Sequence, residues 1–494
     1  MTKQILIDAL CGETTLALLE DGELAELYAE SEGREKLTGN IYVGRVENVL
    51  PGMNAAFVNI GLEKNAFLYA GDIQLDASDE ELAERLRLAE IQKLVRPGQT
   101  IVVQVIKEPG GTKGPRVSCH ITLPGRLSVL LPTVPYVGIS RRIEEEGERG
   151  RLRGIACSLV ADSGAGMIVR TAASGASTEE LEADFRSLEG LWETISRRSR
   201  HVAAPALLHR DDSLIDRAVR DMLASDVESV RTDDRGVYEQ LIEAGRALSQ
   251  GLLERIVFDR TDVPLFDRYR VRKQAEVALK RRVWLKSGGY LVFDYTEALT
   301  IIDVNTGKFV GKRSLSETVF ELNCEAAREI ARQLRLRDIG GIIVIDFIDM
   351  SLQSQREELL SVLRECLKSD RTRTNLAGIT SLGLVEMTRK KVRQPIYKQK
   401  CHTCPTCQGS GLVPSHEFTA RLALSELRGR RAAGDQTPYI VRVAPPIAGI
   451  LGTIVAPEGG HTYALPAEDI KEDEYQIVPA DETALPPKTR LLRQ

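Results

Sequence analysis

Asp303 and Asn305 lie within "ALTIIDVNTGKFVG" (residues 298–311), an apolar, β-branched run, and Asp346 is set the same way in "GGIIVIDFIDM" (340–350). An ionised carboxylate on a buried strand is costly unless it is paired, hydrogen-bonded or bound to metal. Two carboxylates converging from neighbouring strand ends can hold one hard divalent cation, with water and phosphate oxygens completing its octahedron. Asn305, two residues beyond Asp303, projects from the same strand face and offers a neutral amide. Such a site suits metal-assisted phosphodiester hydrolysis, in which the ion lowers the pKa of a water and offsets phosphate charge. D-x-N-x-G is also good turn chemistry, so the competing reading has the aspartates capping strand ends.

A second constellation is "CHTCPTCQGSGLV" at 401–413. Cys404 and Cys407, followed by Gly409 and Gly411, resemble half a zinc knuckle, and tetrahedral zinc needs four ligands. Cys401 and His402 could complete the set, but their crowding would strain a site closed by one chain. A second chain donating its own pair is geometrically easier, which predicts a homodimer sharing Zn²⁺. The alternative is a redox C-P-x-C pair, but that chemistry wants the cysteines opening a helix after a strand, and here a glycine-rich segment follows.

Tyr42, Phe57 and Phe67 fall in a β-rich segment, with Lys107 and Lys113 on or beside its glycine-rich loop. Exposed aromatics plus a cationic track grip single-stranded nucleic acid; the same residues otherwise form a barrel core. In "GMIVRTAASGAS", Arg170 and Thr171 end an apolar strand, where a guanidinium, a hydroxyl and backbone N–H groups could form a phosphate pocket. "GISRR" (138–142) adds cationic support, and Arg-Thr at a strand end also serves purely structural roles.

The elements that must position these residues are short strands and helices in several domains. The chain has 494 residues, 43% hydrophobic and 28% charged, ordinary for a globular protein. No apolar run approaches a membrane span and the first residues lack a signal peptide's features, so the expected compartment is the cytoplasm. The net charge of −5 conceals local segregation, with "TRKKVRQPIYKQK" (388–400) and "RYRVRKQAEVALKRRVWLK" (268–286) strongly basic and "DASDEELAE" (76–84) acidic. The basic runs form either a groove or merely solvated faces. Alternation predicts a β-meander in the first 30 residues and a small OB-type barrel after Leu37, interrupted by a charged helical insert. Residues 121–211 read as mixed, with a helix from about Thr178. Residues 212–286 read as largely helical with a strand near "GLLERIVFD". "GGYLVFDYTEALTIIDVN" predicts a hairpin, followed by a helix capped by Ser314 and Glu317 with Val319, Leu322, Ala326, Ile330 and Leu334 as its stripe. A strand at 342–347 and a helix from about 355 to 368 complete an α/β layer. A helix and a few strands follow residue 415.

These segments, in this order, resemble the bacterial ribonuclease E/G family over essentially the whole chain. The residues carrying the resemblance are "GNIYVGRVENVLPGMNAAFVNIGLEKNAFL", "GISRRI", "MIVRTAASG", "LTIIDVNTGKFVG", "GGIIVIDFIDM", "GLVEMTRKK" and "CPTCQGSG". The chain is most like the short family members that lack a long disordered C-terminal scaffold. The resemblance implies a multidomain α/β fold: an RNase H-like fold (1–36 and 212–280) with inserted OB-fold (37–120) and 5′-sensor (121–211) domains. A DNase-I-like catalytic domain (281–400), a zinc link (401–414) and a small α+β dimerisation domain (415–494) would follow. By the same resemblance, Asp303 and Asp346 hold catalytic Mg²⁺ and Asn305 assists at the scissile phosphate. Arg170 and Thr171 bind an RNA 5′-monophosphate, and Phe57, Phe67 and Lys113 contact the strand. Cys404 and Cys407 form the shared zinc link of a homodimer or homotetramer, with Cys401 a departure from the simplest two-cysteine pattern. The implied activity is single-strand endoribonuclease cleavage of ribosomal RNA precursors or messenger RNA, leaving 5′-phosphate and 3′-hydroxyl ends. A non-cleaving RNA-binding or ribosome-assembly factor is the rival from another class.

Overall fold

A computed structural model describes residues 2–31, 36–73, 90–109, 113–161, 163–223, 226–246, 250–308 and 315–493. The charged insert around 76–84, the loop tip at 110–112 and the Ser314 cap lie outside the described residues. The chain divides into two compact units, Met1–Ile396 and Tyr397–Gln494.

Alternation in the first thirty residues produces an antiparallel meander of β1 (Lys3–Leu10), β2 (Glu13–Glu20) and β3 (Glu23–Ser31). The chain then leaves this sheet. Strands β4 (Ile41–Leu50), β5 (Ala55–Asn59), β6 (Ala66–Tyr69), β7 (Thr100–Lys107) and β8 (Arg116–Ser118) pair in the order β4-β5-β6-β8-β7, and β7 returns to β4. This closure gives a five-stranded, OB-like barrel, as the spacing of short strands predicts; it leaves none of the five with an open edge inside the ring. Val46, Ala56, Val58, Leu68, Val103 and Val117 fill it.

A four-stranded sheet follows, built from β9 (Leu123–Pro124), β10 (Ser128–Leu131), β11 (Val137–Ile139) and β12 (Gly166–Val169). Two helices, α1 (Glu146–Val160) and α2 (Thr178–His201), share its apolar core. Helix α2 starts at the expected position because Ser177 and Glu180 form a reciprocal capping box. Strand β13 (Ala206–His209) returns to pair with β4.

The first sheet is then completed by β14 (Val227–Thr232) and β15 (Ile256–Phe258), giving the order β15-β14-β1-β2-β3 with β14 parallel to β1. One sheet is therefore assembled from chain on both sides of the barrel. Reading 212–286 as largely helical finds β15 but misses β14. "VESVRT" is too short to break a helical period in a long window, and its pairing with β1 lies more than two hundred residues away in sequence.

The fourth sheet carries the paired aspartates. Its strands are β16 (Arg282–Trp284), β17 (Tyr290–Tyr295), β18 (Leu299–Asn305), β19 (Gly341–Asp346), β20 (Thr374–Ile379) and β21 (Val385–Arg389), ordered β16-β17-β18-β19-β21-β20. One face packs in a shared core with α3 (Leu315–Leu336) and α4 (Gln353–Leu367). The α3 stripe is buried at Leu322, Ala326, Ile330 and Leu334. The second unit has a sheet of β22 (Tyr439–Val443), β23 (Thr462–Pro466), β24 (Tyr475–Pro479) and β25 (Arg490–Leu491), with α5 (His416–Ala432) packed in its core.

The last turn of α3 is tied to the first sheet by buried charge. Arg335, 5% exposed, reaches Glu20 on β2 and Glu26 on β3, each at 2.8 Å. Burial alone would raise the Glu26 carboxyl, but the charges of Arg335 and Arg371 together with hydrogen bonds from Tyr28 and Arg335 outweigh it and hold its pKa below the ordinary range. Removing one partner from such a cluster leaves uncompensated buried charge. Arg335→Met should therefore cost about 3–5 kcal/mol at neutral pH by urea unfolding. Since the folded pKa of Glu26 is depressed, this stabilisation is complete above the ordinary glutamate range and is lost as pH falls through the folded value. The deficit should shrink accordingly at acidic pH, whereas a deficit below about 1 kcal/mol at pH 7 would show the cluster to be dispensable.

Candidate active site

Strand β18 runs antiparallel to β17 and parallel to β19, in a register that sets Asp303 directly beside Asp346. Side chains alternate along a strand, so Ile302, Val304 and Ile345 point into the core while Asp303, Asn305 and Asp346 share the opposite, open face. The expectation that the two acids are sheet neighbours at strand ends holds. Asn305 Nδ2 donates to Asp303 Oδ2 at 2.7 Å and thereby orients that carboxylate. The glycine that ends "DVNTG" has a structural reason: Gly307 has φ +56°, and a Cβ there would lie 2.4 Å from the Gly288 carbonyl oxygen.

Two contributors escape the sequence reading. Asp349, three residues past Asp346, adds a third negative charge to the neighbourhood. Asn323, fully buried on α3, donates to the Ile348 carbonyl at 2.8 Å and accepts from the Ile348 N–H at 3.1 Å. It pins the loop that follows Asp346. An Asn interrupting an apolar helical stripe was the available signal, because a buried amide must find partners. Among the described residues no three His, Cys, Asp or Glu side chains form a metal-binding group. The donor set at the strand ends is two carboxylates and an amide, which fits a magnesium ion that keeps most of its waters.

On the barrel, Phe57 and Phe67 face each other across β5 and β6, edge to face at 6.0 Å, both half-buried. Tyr69, absent from the sequence expectation, extends the row by stacking on Phe67 at 6.5 Å with Arg116 6.0 Å from its ring. Tyr42 follows the competing reading: it is core, 6% exposed. Lys113 is exposed, and its segment joins this row where the Phe67 N–H donates to the Pro115 carbonyl at 2.7 Å.

Arg170 and Thr171 leave β12 side by side, but their polar groups are already engaged. The Arg170 guanidinium donates to Asp221 at 2.6 Å and to the Gly125 carbonyl, and the Thr171 and Ser140 hydroxyls share a 2.9 Å bond. A phosphate there would have to share Arg170 with Asp221. Burial would raise the Asp221 carboxyl, yet hydrogen bonds and charge from Arg220 and Arg170 hold it below its ordinary range. The basic run at 388–400 is partly internal as well. Arg389 is buried against Asp370 at 2.7 Å and Asp338 at 2.9 Å, and Arg393 reaches Asp338 at 2.8 Å.

In the second unit Cys401 and Cys404 are exposed and Cys407 is half-buried. Backbone N–H groups of Cys407 and Thr406 hydrogen-bond the Cys404 sulfur and hold its pKa below that of an ordinary thiol. Positive φ at Gln408, Gly409 and Gly411 folds the chain into the tight turns that follow.

Residues 122–392, which include both strands of the aspartate pair, match the Ribonuclease E/G family. Ribonuclease G of Salmonella typhimurium (strain SL1344) is 40% identical over 97% of this chain and 98% of its own. Ribonuclease G of Escherichia coli (strain K12) shows the same identity and coverage. Ribonuclease E of Nostoc sp. is 42% identical over 80% of this chain but only 58% of its own. This chain belongs to the ribonuclease E/G family. Its resemblance to the short, ribonuclease G-like members is thus supported along nearly the whole length.

In this ribonuclease E/G chain the aspartate pair is electrostatically unbalanced. Burial, then the neighbouring charges of Asp303 and Asp349, raise the Asp346 carboxyl above its ordinary value. A raised folded pKa means that ionised Asp346 costs stability, and the cost appears as pH rises through that value. In EDTA, Asp346→Asn should have a higher thermal midpoint than the parent chain at neutral pH. The advantage should fade as pH falls below the ordinary aspartate range. Calorimetry across that range checks it; a lower midpoint for Asp346→Asn at neutral pH would contradict the geometry.

Proposed function

We propose that the chain is an endoribonuclease that hydrolyses single-stranded RNA with Mg²⁺ held by Asp303 and Asp346. The observation that carries this reading is the side-by-side register of the two acids on an open sheet face, with Asn305 fixing one of them. An open face suits a polymer better than an enclosed cavity would. When bound, the ion supplies a lowered water pKa and offsets the negative charge that builds on the phosphate. Asp303 and Asp346 would give the ion its two protein oxygens, and Asn305 would hold Asp303 in one rotamer while its remaining amide oxygen faces the substrate. Attack by water rather than by the neighbouring 2′-hydroxyl leaves a 5′-phosphate and a 3′-hydroxyl, and no 2′,3′-cyclic phosphate.

The relatives' name, Ribonuclease G, supports cleavage over the rival of a non-cleaving RNA-binding factor. The Phe57–Phe67 pair with Lys113 would carry the strand across the barrel. Arg170 and Thr171 would favour a 5′-monophosphate, with Asp221 yielding part of the guanidinium to it. Processing of ribosomal RNA precursors and decay of messenger RNA, in the cytoplasm, belong to the same reading. So do the RNase H-like and DNase-I-like descriptions of the first and fourth sheets. Two chains, each giving Cys404 and Cys407, would complete a tetrahedral zinc and make the homodimer, itself able to pair into a homotetramer.

Asp303→Asn and Asp346→Asn should each slow cleavage of a 5′-monophosphorylated single-stranded RNA at least about a hundredfold while RNA binding persists. Asn305→Ala should lose roughly ten- to a hundredfold, the scale of a ligand-orienting partner. Undiminished cleavage by either aspartate variant, or cyclic-phosphate ends, would overturn the assignment. The zinc link is checked by metal analysis and native mass: Cys404→Ser should lose both the zinc and the dimer, and a zinc-free dimer of the parent chain refutes it.

A further inference from the structure

The open face of the fourth sheet carries more than the two acids. Strand registers define two cross-strand rows on it. One runs Arg282, Val292, Asp303, Asp346 over β16, β17, β18 and β19. The next runs Trp284, Tyr290, Asn305 over β16, β17 and β18. Directly opposed residues point to the same side of a sheet, so an aromatic pair and an arginine stand on the surface that presents the acids. Arg282 and Trp284 are about two strand spacings, roughly 10 Å, from Asp303 and Asn305.

The chemistry of this corner is unusual for a solvent-facing sheet edge. Trp284 is 56% exposed, although an indole is among the most favourable side chains to bury. Its ring lies 5.2 Å from that of Tyr290, tilted by 59°. The Arg282 guanidinium stands 4.4 Å from the Tyr290 centroid and 5.9 Å from that of Trp284. Arg282 has no carboxylate partner among the described residues, whereas the adjacent Arg281 is held by both oxygens of Asp294. An exposed indole, a second ring holding it upright and a cation without a counter-charge match what single-stranded nucleic acid requires: a face for a base and a charge for its phosphate.

We infer that Trp284, braced by Tyr290 and accompanied by Arg282, is a base-stacking subsite for RNA beside the Asp303–Asp346 pair. It would hold a nucleotide flanking the scissile phosphate and so fix where along the strand the cut falls. The occupant is single-stranded nucleic acid rather than a second copy of the chain, because the charge at this corner is positive and the row leads directly to the acids. The inference rests on the cleavage reading above and names a subsite of that same surface.

The chain has two tryptophans, Trp192 and Trp284. In a Trp192→Phe, Asp346→Asn full-length chain Trp284 is the only indole, and binding of a short unstructured 5′-monophosphorylated RNA should quench its fluorescence. Trp284→Ala should weaken binding of that RNA about tenfold, and Trp284→Phe should restore most of it. In the cleaving chain, one abasic nucleotide beside the cut should slow the reaction, and the same substitution should add nothing in Trp284→Ala. Absent quenching with unchanged affinity overturns the subsite, as does a Trp284→Ala chain whose only change is a lower native mass. Failure of the cleavage reading is seen separately, as undiminished cleavage by Asp346→Asn.

Discussion

The site depends on one registration: β18 lies parallel to β19 so that Asp303 meets Asp346. Side chains alternate with a period of two, so a slip of one residue would turn Asp346 into the core and bring an isoleucine out in its place. The buried partners Ile302, Ile343 and Ile345 oppose such a slip, because each would lose its packing against α3 and α4. Two acids side by side on neighbouring strands repel each other. The fold tolerates that strain through apolar burial beneath them, a compromise expected of a functional site.

Arginines around the end of α3 tie this sheet to the first one. Arg335 grips Glu20 and Glu26 in the first sheet, and Arg332 donates to the Leu24 carbonyl at 2.6 Å. Arg337, almost wholly buried, stands 4.0 Å from the Phe293 ring on β17. Arg389 on β21 binds Asp338, Asp370 and the Ile339 carbonyl, fixing the turn that launches β19. Buried charge of this kind gives little net stability compared with an apolar core, yet it admits few alternative arrangements. Here it joins the sheet assembled from both sides of the barrel to the sheet that bears the acids.

Much of this was legible in the sequence where the information is local. The D-x-N spacing placed Asp303 and Asn305 on one face, and the short strands after Leu37 announced a barrel that does close. The family motifs added what spacing could not: an expectation of a shared metal site rather than strand-end capping at Asp303 and Asp346. The missing parts are set by contacts between residues far apart in the chain. Nothing near Arg170 reveals that Asp221 holds it, and nothing near Arg389 shows that it leaves the basic run for the interior. Tyr42 and Phe57 occupy similar local sequence, yet one fills the barrel and the other lies on its surface. Strand β14 was hidden for the same reason, since its partner is the first strand of the chain.

The pairing of Asp303 with Asp346 has a direct physical test that does not require turnover. Electron paramagnetic resonance of Mn²⁺, standing in for Mg²⁺, counts ions bound to the intact chain. About one ion per chain is expected at this site, competed by Mg²⁺ and lost in both Asp303→Asn and Asp346→Asn. A bound ion that survives in either variant would contradict the shared site.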